Sequence, residues 1–221
     1  MAAEQIVIPV KGVELEGEFD FPPKPLGLVL FAHGSGSSRH SPRNQYVAGI
    51  LRSAGIGTLL FDLLTPAEEE EEAYTRHLRF DIPLLAHRLV CATRWALDRS
   101  TTRDLNAGYF GSSTGAAAAL IAAAERRDAI SAVVSRGGRP DLAGDALERV
   151  RAATLLIVGG DDKPVIELNE QAYERLHCEK ALRIVPGATH LFEEPGALKI
   201  VAKMAAEWFA SHLQPLRALG S

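Results

Sequence analysis

The stretch Gly108-Tyr-Phe-Gly-Ser-Ser-Thr-Gly-Ala-Ala-Ala-Ala-Leu120 sets two serines among glycines, ahead of a run of alanines. Only Ser113 stands between two glycines at the spacing G-x-S-x-G, with Gly111 before it and Gly115 after it. A serine on a tight strand-to-helix turn is forced into strained backbone angles that lift its Oγ above the sheet, where it can attack. Small residues must flank it, because a strand and a helix backbone pass close by. The alanines that follow let the helix pack tightly beneath. Ser112 occupies the variable position and is the weaker candidate. The alternative for Ser113 is a helix cap without chemistry.

A serine is a poor nucleophile unless a base removes its proton and an acid orients that base. His190, in "PGATHLFEE", follows the last apolar run and is the best general base, since imidazole titrates near neutrality. His77, His87, His177 and His212 read as ordinary histidines, and His33 in "FAHGSG" reads as a loop-holding residue. Two aspartates follow "TLLIVGG". Asp162 is preferred as the acid because one further residue lets the chain face back toward the histidine, leaving Asp161 as a turn residue. The backbone N–H groups of Thr114 and Ser35 are the expected donors to a developing oxyanion. The "HGSGSS" loop does not match a nucleotide loop: Arg39 stands at the third glycine position of G-x-G-x-x-G, and a P-loop lysine is missing.

These residues are expected at the ends of strands. "EQIVIPV" and "VELEGEFDF" read as a hairpin. "GLVLFAH", "GTLLFDL", "NAGYFG", "SAVVSRG", "TLLIVGG" and "KALRIVP" read as buried parallel strands. Helices are expected near residues 42–54, 82–98, 114–126, 141–150, 165–176 and 195–212. Alternation of this kind predicts an α/β fold, an eight-stranded and mostly parallel sheet flanked by helices, within one domain over residues 1–221. The serine, acid and histidine then share the carboxyl edge of the sheet, where parallel sheets carry chemistry. The run "PAEEEEEAYTR" is expected to be a solvated short helix or loop, without the interleaved ligands a metal needs.

A formal net charge of -4 argues against nucleic acid as a partner. The start "MAAEQIVIPV" lacks a signal-peptide pattern, and the longest apolar helical stretch, residues 116–124, is about half the ~20 residues a membrane span requires. The two cysteines, Cys91 and Cys178, read as idle thiols rather than a disulfide framework. A soluble cytoplasmic protein is expected, needing no cofactor or metal. The closing LGS of residues 219–221 reads as an appended tail.

With "FAHGSGSS", "GSSTG", "GGDD" and "PGATH" in this order, the chain resembles the α/β-hydrolase superfamily over nearly all its length, and within it the small lid-less enzymes similar to dienelactone hydrolases. The resemblance implies a Ser113, Asp162, His190 triad acting on ester-like substrates. One departure is that dienelactone hydrolases proper use a cysteine where Ser113 stands, so lactone specificity does not follow. Relatives of this type also occur fused to phosphoribosyltransferase domains, and no part of this chain resembles one.

Too few residues separate "SAVVSRG" from "TLLIVGG" for a cap domain, which leaves an open pocket suited to small acyl groups. Arg39, His40, Arg43, Arg136 and Arg139 lie on loops at the catalytic edge and could bind a carboxylate on the substrate. The competing expectation is that Arg139 pairs with Asp141 while the others face solvent. Hydrolysis of small carboxylic esters, lactones or thioesters through an acyl-enzyme is the expected activity, with a small molecule as partner and no membrane. Acyl transfer by the same triad, or a binding protein that keeps the fold without turnover, are the alternatives.

Overall fold

The computed structural model describes residues 3–214; the closing LGS lies outside them. β1 (Glu4–Val10) and β2 (Val13–Asp20) form the expected hairpin, with Ile6, Ile8 and Val10 buried and the residues between them exposed. The next strands are β3 (Leu28–Ala32), β4 (Gly57–Phe61), β5 (Ala107–Ser112), β6 (Ile130–Arg136), β7 (Ala153–Gly159) and β8 (Lys180–Val185). All eight join one sheet in the order β1-β2-β4-β3-β5-β6-β7-β8, antiparallel at β1–β2 and β2–β4 and parallel elsewhere. Every residue of β3, β4, β5 and β7 is buried, as apolar strands must be when helices cover both faces.

One face carries α3 (Ile82–Leu97) and α4 (Thr114–Glu125); the other carries α1 (Pro42–Ser53) and α6 (Ala197–His212). α4 is buried almost throughout, which its alanines allow because they need little room between sheet and neighbouring helices. The chain winds from β3 outward to β4, then crosses back to β5 on the other side of β3. That reversal opens a crevice at the carboxyl ends of β3 and β5, where ligands bind in sheets of this kind.

Three expectations change. Residues 141–150 do not form an α-helix: Pro140–Arg149 is a 3₁₀ run interrupted at Gly144 (φ 54°, ψ -133°), with Ala143, Ala146 and Leu147 still buried. The last helix begins at Ala197 rather than Pro195, because Gly196 holds a left-handed conformation (φ 84°). The glutamate run is α2 (Pro66–Thr75), opened by a reciprocal cap between Thr65 and Glu68, and it is only partly solvated. Glu72 is 1% exposed and accepts from the Leu78 N–H and the Arg79 guanidinium. Glu68 accepts two hydrogen bonds from the buried Arg88, which pull its pKa down to about 2. A glutamate run at helical spacing meets arginines on one face, so part of it is drawn into ion pairs.

Candidate active site

Ser113 sits between β5 and α4 with φ 51° and ψ -124°, a backbone conformation costly for a residue with a Cβ. The turn survives because the surrounding chain permits nothing bulkier. A Cβ on Gly115 would lie 2.2 Å from the Ala32 carbonyl oxygen, and one on Gly111 would lie 2.5 Å from the Ala116 Cα. The Ser113 carbonyl accepts from the N–H groups of Ala116 and Arg139, so the turn is tied both to its own helix and to the segment after β6. Ser113 makes no side-chain cap, which removes the helix-capping alternative.

His190 lies on the loop after β8, and its Nδ1 is 2.7 Å from Oδ2 of Asp162 on the loop after β7. Asp162 stands at the N-cap position of α5 (Lys163–Arg175), yet its carboxylate does not cap the helix. The adjacent Asp161 is exposed and donates its N–H to the Ala188 carbonyl, a turn contact. Ser113 and His190 line the same cleft, of about 510 Å³, without a direct hydrogen bond between them. A loose serine–histidine contact is common in a site without substrate.

The loop after β3 passes directly against the serine: a Cβ on Gly34 would lie 2.9 Å from the Ser113 Cβ. Ser35 Oγ is 3.0 Å from Thr114 Oγ1, which brings the two expected oxyanion donors together beside the cleft. Among the described residues neither of their N–H groups has an acceptor in the protein. His33 is buried, with Nδ1 3.0 Å from the Gly34 carbonyl and Nε2 accepting from the Leu63 N–H at 2.9 Å. Because Nε2 accepts, the proton stays on Nδ1 and donates to Gly34, and burial holds the ring's pKa below its usual value. His33 therefore braces the loop and offers no base.

The arginine expectations divide. Arg139 lines the cleft but forks onto Asp141 at 2.9 and 2.7 Å. Arg39 is tied to Asp62 and Glu16, away from the cleft, and Arg43 pairs with Glu193 at 2.9 Å. His40 is exposed and off the cleft, and Arg136 is buried and off it too. The sequence reading missed the segment that supplies the other wall: Arg76, Arg79 and Phe80, at the end of α2 and in the 3₁₀ turn Leu78–Phe80. Treating the glutamate run as solvent-facing hid the cations just behind it. Cys178 is half-buried against Thr154, and burial raises its thiol, away from thiolate chemistry.

No family model matches the chain. A crystal structure of dienelactone hydrolase from Anabaena variabilis is 58% identical, with a TM-score of 0.94, over 96% of this chain and 98% of that one. This chain belongs to the dienelactone hydrolase-like family of α/β-hydrolases. Est1E from Butyrivibrio proteoclasticus shares the family's fold at 17% identity and a TM-score of 0.78, over 94% of this chain and 98% of that one. In Mycobacterium tuberculosis, a protein provisionally named phosphoribosyl transferase is 56% identical over 210 residues. The match takes in 95% of this dienelactone hydrolase-like chain but only 46% of that relative, so the chain spans about half the length of the curated protein. Among the described residues no helix is long and apolar enough to cross a membrane.

Proposed function

We propose that the chain is a serine hydrolase that cleaves small carboxylic esters, lactones or thioesters through an acyl-enzyme. The observation that carries this reading is the 2.7 Å contact between His190 Nδ1 and Asp162, made beside a strained Ser113 in one cleft. Asp162 holds the Nδ1–H and leaves Nε2 free to take the Ser113 proton as Oγ attacks the acyl carbon. The carbonyl oxygen becomes an oxyanion, stabilised by the N–H groups of Ser35 and Thr114. His190 returns the proton to the departing alcohol. It then deprotonates a water, which attacks the acyl carbon and releases the acid, restoring Ser113.

The cleft has cationic and aromatic walls, which suits an acyl group carrying an acid or a polar ring. Arg79 and Arg139 are already paired with Glu72 and Asp141; Arg76 lines the cleft with no carboxylate partner among the described residues. Arg76 is therefore the residue assigned to a substrate carboxylate, in place of Arg39, His40 and Arg136.

The test is labelling with a fluorophosphonate, which reacts only with an activated serine, followed by mass spectrometric mapping. Labelling at Ser113 that disappears in His190→Ala supports the reading. A folded protein that resists the probe would sink it and leave a binding protein with a hydrolase fold. Product analysis with an added alcohol acceptor then separates hydrolysis from acyl transfer.

A further inference from the structure

Arg136 ends β6 and is 7% exposed. It shares strand parity with Ala132 and Val134, so its side chain enters the face packed by α1 and α6 rather than the cleft. Its Nε and Nη1 are both buried without an acceptor, and it takes part in no ion pair among the described residues. The charge that acts on it is another cation, Arg43 in the first turn of α1; with burial the larger cause, this lowers its pKa to about 10. Arg43 spends Nη1 on Glu193, while its Nε is also buried without an acceptor. Water could accept from these N–H groups, but it would not neutralise the buried charge of Arg136, which meets no carboxylate among the described residues.

We propose that Arg136 and Arg43 form an internal binding site for a small monovalent anion, a halide or a carboxylate, between the end of β6 and the first turn of α1. The site is separate from the catalytic cleft. The two are neighbours through the backbone: the Ser113 N–H approaches the Arg136 carbonyl at 3.4 Å, and a Cβ on Gly137 would lie 2.9 Å from the His190 carbonyl oxygen. An anion here braces the serine turn and the histidine loop from behind.

The test is thermal unfolding of the full chain at constant ionic strength, with sodium methanesulfonate, neither a halide nor a carboxylate, replaced stepwise by bromide or by acetate. The expected result is a saturating rise in Tm, roughly 5–10 °C at a hundredfold excess over the dissociation constant. A response to bromide assigns a halide, and one to acetate alone assigns a carboxylate group. Arg136→Met should abolish the response. The same response in R136M, or none in the wild type, overturns the proposal. Arg43→Gln, at the more exposed edge, should raise the half-saturating concentration at least tenfold. An unchanged value in R43Q overturns the proposal even if R136M does not fold. No turnover is needed, so the result is independent of whether the chain is a hydrolase.

Discussion

His190 Nδ1 and Asp162 Oδ2 meet at 2.7 Å across 28 residues of chain, joining the loops that follow two neighbouring strands. Asp162→Asn should keep the fold but present an amide where a carboxylate must hold the imidazole tautomer. A fall in kcat of about 10⁴-fold is expected, measured on an activated ester. Asp161→Asn should stay within about twofold of wild type, because Asp161 makes only a turn contact. Equal losses in the two variants would contradict the assignment of the acid.

Gly115 is a packing requirement rather than a chemical one. The nearest backbone oxygens, of Ala32 and His33, lie 2.2 and 2.5 Å from where a Cβ would be, and neither can retreat without moving β3. Gly115→Ala is therefore expected to destabilise by about 3 kcal/mol or more, read from urea unfolding. Ser113→Ala should abolish turnover while keeping stability equal to or above wild type, since it leaves a strained site without introducing a clash.

His33 links stability to pH. Its folded pKa lies below the usual 6.5, so the unfolded chain binds the proton more readily. Its contribution is fully present above about pH 6.5 and is lost as pH falls below that value. Comparing urea unfolding at pH 7.5 and 5.5, wild type should lose more stability than His33→Gln, which has no proton to take up. Parallel losses would show that His33 is not held neutral.

Glu72 anchors the cleft wall. Burial disfavours its charge, but the Arg79 guanidinium and the Leu78 N–H outweigh that and hold its pKa below the ordinary value. The Arg79 carbonyl in turn accepts from Ser35 Oγ at 3.4 Å, so the anchor reaches the proposed oxyanion site. Glu72→Ala should cost roughly 1–3 kcal/mol in unfolding free energy and lower kcat for esters. A variant with full activity would mean that the wall does not position Ser35.

Arg76→Ala should raise KM for an ester bearing a free carboxylate several-fold more than for its neutral methyl-capped analogue. Steady-state kinetics on the pair decides this. Equal effects on both substrates would remove the acid-binding role.

Much of this protein can be read from its sequence, for local reasons. Apolar runs long enough for buried strands, the two glycines around Ser113, and the polar residues just past each strand dictate the sheet, the turn and the edge where Ser113, Asp162 and His190 gather. The hairpin follows from strict alternation around Lys11 and Gly12. The same local reading expected Gly144 to lie inside a helix and the glutamate run to face water. The partners of charged side chains are a different matter. Arg139 forks onto Asp141 two residues away, but Arg39 reaches back to Glu16, Arg43 goes to Glu193, and Glu68 turns inward to Arg88. Arg136 finds no carboxylate among the described residues. Where strands and helices form and which strands are buried depend on residues near in sequence or on periodicity, so the chain itself announces them. A long charged side chain is placed by whichever opposite charge the fold brings within a few ångströms, and only the tertiary structure decides which arginine lines the cleft without a carboxylate partner among the described residues.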